Sequence, residues 1–230
     1  MMIYLFSGLT LIAFFVGQKI SQKLRTNWLN PFLLALLLII VVLGLFDIPF
    51  AQYYQGNAPI NDFLSVSVVA LALPFYEQLP QIRKNWRPIS AVLLFGTLIS
   101  MLSGLLFALL LGANQQILAA ILAKSVSTPI AVAIATPIGG NAAITAVGVM
   151  IAGLIGSVLG FTILHLINVR NMRAVGLTMG TVSHVLGTGR CMEYSIKAGS
   201  YSSIALVASG VLSSILAPLV FKLAIVLCYS

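Results

Sequence analysis

Lys124-Ser125-Val126-Ser127-Thr128-Pro129 is a polar string set in apolar sequence, and a second follows at Gly180-Thr181-Val182-Ser183-His184 and Gly187-Thr188-Gly189-Arg190. Inside a bilayer an unsatisfied backbone group costs several kcal/mol. Irregular chain at that depth survives only when buried in protein or facing a wet cavity. Two such breaks, rich in hydroxyls and cations, point to a transport site built from interrupted helices.

The rest of the chain supplies the bilayer context. Of its 230 residues, 60% are hydrophobic and only 7% charged, with a mean hydropathy of +1.09. That is far from soluble globular usage, and several apolar runs approach the ~20 residues that a spanning helix needs. The expected fold is an all-α polytopic membrane protein forming one domain over residues 1–230. It has about six full spans plus two broken or re-entrant helical elements. Net charge is +8, from twelve Lys and Arg against four acids. Topology accounts for this better than nucleic-acid binding, because cytoplasmic loops collect Lys and Arg. Cys191 and Cys228 imply no structural disulfide. The start, Met1-Met2-Ile3-Tyr4-Leu5-Phe6, lacks a basic n-region and reads as a first span rather than a signal peptide.

Span 1 runs from about Ile3 to Gln18, before Lys19, Lys23 and Arg25. Span 2 runs from about Leu29 to Phe46, with Asn30-Pro31 at its start. A polar loop is expected over 47–61, then span 3 from Asp62 to Pro80, ending at Arg83, Lys84 and Arg87. Span 4 covers Pro88 to Leu111. The first broken element covers Gln115 to Ile138 and closes at Gly139-Gly140-Asn141. Span 5 covers Ala142 to Ile167, before Arg170 and Arg173. The second broken element covers Ala174 to Lys197, and the last span Ser202 to Leu227.

A shift of 56 residues lays Gly96-Thr97-Leu98-Ile99-Ser100 on Ala152-Gly153-Leu154-Ile155-Gly156, Gly104 on Gly160, and Ser125–Thr128 on Thr181–His184. Residues 88–138 and 142–197 then form two repeat units, each a small-residue helix followed by a broken element. If both broken elements are hairpins, all three basic clusters lie on one face, the cytoplasm, and both termini lie outside. Each unit then contains one net crossing, so the repeat is inverted and the two breaks meet near the midplane. A full crossing by each element, giving eight spans, remains the alternative.

In the first break, Pro129 removes a donor and disfavours helix at Thr128. The chain should therefore open over 125–128. Half-helix N-termini there suit a carboxylate. Ser125, Ser127 and Thr128 add hydrogen-bonding groups, and Lys124 adds a full charge. The bland alternative bonds the hydroxyls back to the helix and lets Lys124 snorkel to the interface. An ionisable group at membrane depth nevertheless defaults to function. In the second break, Gly180, Gly187 and Gly189 permit unusual backbone and close approach, while Thr181, Ser183, His184 and Thr188 supply polar groups. Arg190 is either a substrate ligand or the counter-ion of Glu193 three residues on. His184 is either a proton carrier or a packed, satisfied ring. Glu77, His184 and Glu193 are the ion-coupling candidates, with a solvated Glu77 the competing reading. No metal motif, no Walker loop and no cofactor signature stands in the chain, which is read as a non-enzyme.

At these residues the chain resembles the LrgB/CidB family, nearest its YohK-like enterobacterial branch. The strings are Lys124 through Ala131, Ile138-Gly139-Gly140, Gly180 through His184, Gly187 through Arg190, and Pro74 through Gln78. Gly189 departs from the Ala expected before the Arg. The resemblance implies an inner-membrane protein acting with a small LrgA/CidA-like membrane partner, as a homo- or hetero-oligomer. It implies either of two functions. One is secondary transport of small monocarboxylates of the pyruvate, glycolate or glycerate type, coupled to H⁺ or Na⁺. The other is a holin- or antiholin-like role in murein hydrolase export and lysis.

Overall fold

The computed structural model describes residues 2–24, 31–70 and 72–229. Arg25 of the first basic cluster and the Leu29–Asn30 start of span 2 lie outside them. Among the described residues every regular element is helical. The chain divides at Ser67–Val68 into two compact units.

Unit 1 holds α1 (Met2–Leu24), α2 (Pro31–Leu45), α3 (Phe50–Gly56) and most of α4 (Ala58–Ala70). The backbones of α1 and α2 touch at Gly17, where a Cβ would sit 2.7 Å from the Pro31 carbonyl oxygen. The polar loop expected over 47–61 is instead largely helical. Pro49 precedes α3 with extended φ/ψ of −61° and 136°. Pro59 falls in the first turn of α4, where a missing N–H leaves no helical bond unmade. Two polar residues there, Tyr53 and Asn57, serve a helix contact. Thr10 Oγ1 on α1 donates to Asn57 Oδ1 at 2.8 Å and lies 2.8 Å from the Tyr53 hydroxyl. Phe6 packs edge-on against Tyr53 at 5.9 Å and fills the space a Gly56 side chain would need.

Unit 2 contains α5 (Ala72–Lys84), α6 (Trp86–Leu110), α7 (Gln115–Ile121), α8 (Thr128–Ala135, continued by a 3₁₀ turn Thr136–Ile138), α9 (Ala142–Leu166), α10 (Met172–Tyr194) and α11 (Ile196–Tyr229). Among the described residues α6, α9 and α11 are each long and apolar enough to cross a bilayer. The protein is thus a helical membrane protein. An asparagine starts three of these helices. The Asn114, Asn141 and Asn171 side chains accept backbone N–H groups in the first turns of α7, α9 and α10, satisfying donors that a helix start otherwise leaves open.

The two broken elements both double back. Helix α7 enters beside the end of α6 and stops at Ile121. The chain is open over 122–127 and returns as α8. At Gly140 it lies against Ala119–Ala120 of the inward leg, where an added Cβ would be 2.9 Å from the Ala120 nitrogen. The second element bends at His184, whose φ/ψ of 41° and −132° are not helical. Gly187 then lies beside the Met179 carbonyl, where an added Cβ would sit 2.8 Å from that oxygen. Eight positions would separate the two by ~12 Å in a straight helix. The return leg ends with Tyr194 stacked at 4.9 Å on Phe161 near the end of α9.

Connectivity sets the ends from which they dip. The first hairpin starts and finishes at the end where α6 stops and α9 begins. The second starts and finishes at the opposite end, where α9 stops and α11 begins. That second end is basic, since Lys84, Arg173 and Lys197 line one cleft there. Each end has an apolar core. Met101, Leu105, Leu122, Val126 and Val149 pack at the first; Ile89, Leu93, Leu177 and Ile204, and separately Leu164, Val175, Met179 and Cys191, pack at the second. Between the cores runs a polar waist.

Candidate functional site

The first break ends at Pro129, which stands in the first turn of α8 and has no N–H to bond the Ser125 carbonyl four residues back. The opening begins at Leu122, before the expected Ser125. Two tight turns, Lys124 N–H to Ile121 O and Val126 N–H to Ala123 O, finish α7. Ser127 is the extended residue before α8, with φ/ψ of −62° and 146°. Its hydroxyl is buried without a hydrogen-bond partner.

Small residues on α6 admit this break into the middle of unit 2. The Lys124 side chain lies over Gly104, and its ammonium donates to the Ser100 carbonyl at 3.0 Å. Ser125 Oγ shares a 2.6 Å hydrogen bond with Ser100 Oγ. A small cavity of about 10 Å³ sits beside this pair, roughly the space of one water. Six hydroxyl side chains line it: Thr97 and Ser100 of α6, Ser125 of the first break, Thr181 of the second, and Ser209 and Ser213 of α11. The Thr97 hydroxyl is buried there without a partner.

A larger groove of about 380 Å³ opens on the other side. Lys124 and Ser125 of the first break and Val182 and Ser183 of the second meet across it, with Gly156 of α9 between them. From this polar inner end it runs past Gly160, Ile163 and Leu164 to Ile167, toward the basic end. An anion lodged at the inner end faces an ammonium and two hydroxyls. The remaining lining is mainly aliphatic.

The second break is held by glycines that act through close approach. Gly176 and Gly180 abut the backbone of Ala198 and Ser202 on α11, and Gly153 and Gly156 of α9 make room for His184 and Ser183. The positive φ that the sequence assigns to a glycine falls on His184 instead. Gly180 and Gly187 are committed to packing, so the turn takes the residue between them. Such a conformation costs a non-glycine residue about 1–3 kcal/mol. The His184 ring offsets part of this: its Nε2–H donates to the Val149 carbonyl at 2.9 Å, which fixes the tautomer at that nitrogen. Gly189 has open space beside it.

The structure thus joins Lys124, Ser125, Thr181 and Ser183 around the waist. Ser127, just before α8, is buried, and Thr128, its first residue, is half-buried. Thr181 also donates to the Leu177 carbonyl at 2.7 Å. Thr188 bonds Ser202 at 2.8 Å behind the second hairpin. Arg190 sits on the return leg and pairs with Glu193 at 2.6 Å, and neither lines the groove or the cavity. Glu77 is exposed on α5. Thr97, Ser100, Ser209 and Ser213 are additions to the sequence-derived set. Their signal is spacing, i to i+3 on α6 and i to i+4 on α11, which puts each pair on one helix face.

The sequence profile of the LrgB-like family matches residues 10–223. This chain belongs to the LrgB family. It is 47% identical to an uncharacterised protein of Haemophilus influenzae over 96% of both chains. It is 38% identical to YxaC of Bacillus subtilis over 92% of both. With the holin-like protein CidB of Staphylococcus aureus it shares 32% identity over 94% of both. No solved structure matches it.

Proposed function

We propose that this LrgB-family protein is a secondary transporter of small organic anions, with monocarboxylates of the pyruvate, glycolate or glycerate type as substrates. One observation carries the reading: Lys124 and Ser125 of one hairpin and Ser183 of the other line a single groove at the middle of the unit. The anion binds the Lys124 ammonium, and the two hydroxyls orient it. Six spans and two inverted repeat units complete the architecture. Ser100 and Gly104 of α6 meet Ser125 and Lys124 of the first break, and Gly156 and Gly160 of α9, 56 positions later, meet Ser183 and Met179 of the second element, partners that lie 58 and 55 positions after Ser125 and Lys124. The basic end faces the cytoplasm of a cell whose inner membrane holds the chain, and both termini are periplasmic. Coupling is to H⁺ or Na⁺, and an LrgA/CidA-like protein completes the transporter. Uptake of labelled pyruvate, glycolate and glycerate into proteoliposomes holding the chain and this partner tests the reading. Absence of saturable flux for all three sinks it.

The names of the staphylococcal relatives support a second reading, and they lend the transport reading nothing. They are called holin-like, so the alternative is a pore component or regulator in lysis and murein hydrolase export. Release of large dyes from liposomes, insensitive to Lys124→Met, would favour it.

A further inference from the structure

At the basic end of unit 2 lies a cleft of about 550 Å³, lined by Lys84, Asn85, Arg173, Lys197, Ser200 and Tyr201 with Ile196 at its edge. It brings three cations together and its lining contains no carboxylate. Three helices start beside it: α6 after Asn85, α10 just before Arg173, and α11 at Ile196. The Arg173 N–H is capped by Asn171, but the positive end of each helix dipole still favours the same sign of ligand as the side chains do. The chain has four acids. Two are close to this end in sequence: Glu193 is engaged by Arg190, and Glu77 is exposed on α5 seven residues before Lys84, outside the cleft lining. Arg173 is further held over the Tyr201 ring at 5.8 Å.

Several donors around a wide cleft suit a ligand with several acceptor oxygens. The cleft also has a fixed depth. It lies where the apolar helices α6 and α11 begin. The exposed Trp86 ring stacks with Arg87 at 5.5 Å at this level, as aromatic side chains do at a membrane surface. Ile196, 83% exposed, offers the cleft an apolar lip. Basic clefts between spans at this level hold lipid headgroups. We infer that this cleft binds a phosphate group, and that an anionic phospholipid carries it there.

Thermal unfolding of the purified full chain in a zwitterionic detergent tests this, with phosphatidylglycerol, phosphatidylcholine and inorganic phosphate as separate additions. Phosphatidylglycerol should raise Tm saturably, and phosphatidylcholine should not. Arg173→Gln with Lys197→Gln should weaken the apparent affinity at least about tenfold, as expected for two lost charge-assisted contacts. Lys222→Gln, near the far end of α11, should leave it unchanged. An equal rise with phosphatidylcholine, or an equal loss in Lys222→Gln, overturns the site. A rise as large with inorganic phosphate at the same concentration overturns the lipid as carrier. If the double variant does not fold, lipid retained by the single variants Lys84→Gln and Arg173→Gln in native mass spectrometry replaces it. Retention equal to wild type then refutes the proposal.

Discussion

The Lys124 ammonium donates to the Ser100 carbonyl at 3.0 Å, tying the first break to the middle of α6. This contact keeps a charged group at membrane depth, facing the groove that both hairpins line. Replacing it by Met keeps the aliphatic stem over Gly104 and removes the charge. A hydrogen bond to a charged group is worth about 1.5–3 kcal/mol. Lys124→Met should therefore reduce saturable anion uptake by at least about tenfold while the protein still inserts and runs as a single species in detergent. Lys124→Arg brings a broader head into the contact with Gly104 and should not restore uptake. Transport at the wild-type rate in Lys124→Met would remove Lys124 from the site.

Thr97 presents a buried hydroxyl without a partner to the small cavity. An unpaired buried hydroxyl costs about 1–3 kcal/mol. Thr97→Val removes it at nearly constant shape. Its thermal stability should equal or exceed that of the wild type. A clear loss of stability would mean that the hydroxyl is already satisfied by bound water.

Much of this waist is legible in the sequence. Pro129 marks the start of α8, and the hydroxyl-rich strings mark both breaks without tertiary information. The basic clusters favour hairpins over full crossings, and the returns at Gly140 and Gly187 have that form. Other features need tertiary packing. Thr97, Ser209 and Ser213 lie on one face of their apolar helices, but only the convergence of α6 and α11 sets them in one cavity. His184 takes the positive φ because its neighbouring glycines are held in helix contacts. Arg190 reads equally as anion ligand or as partner of Glu193, since their spacing allows the pair whatever the fold. Segment 47–61 carries turn-forming residues yet is largely helical, because Asn57 and Tyr53 find partners on α1.

The glycines of the second hairpin give opposite expectations. A Cβ at Gly180 meets the Ser202 carbonyl oxygen and the Ala205 side chain, and backbone cannot give way cheaply. Gly180→Ala should destabilise by about 1–3 kcal/mol through overpacking, read as a lower Tm in detergent. Gly189→Ala meets open space and removes helix-disfavouring freedom, so it should be neutral or stabilising by up to about 1 kcal/mol. Equal Tm values for the two variants would contradict the packing of α10 on α11.

The turn at His184 makes a further distinction. At φ 41° a β-branched residue is strained, whereas glycine is not. His184→Gly relieves about 1–3 kcal/mol of strain and loses a bond to Val149 worth about 1 kcal/mol, two effects of opposite sign. His184→Val keeps the strain and loses the bond. It should unfold at a clearly lower temperature than His184→Gly. The reverse order would place the bend elsewhere in α10.

The first hairpin fixes which loops share a face. If the chain returns at Gly140, residues before α7 and before α9 emerge on the same side. Ala113 and Ala142 are partly or fully exposed at those positions. Cys228 is exposed and Cys191 buried, so a Cys228→Ser background leaves no accessible thiol. In that background Ala113→Cys and Ala142→Cys should react with an impermeant maleimide from one side of sealed cells. Arg173→Cys should react from the other, because α9 crosses between them. Labelling of Ala113→Cys and Ala142→Cys from opposite sides would convert the hairpin into a full span and separate the two breaks that form the groove.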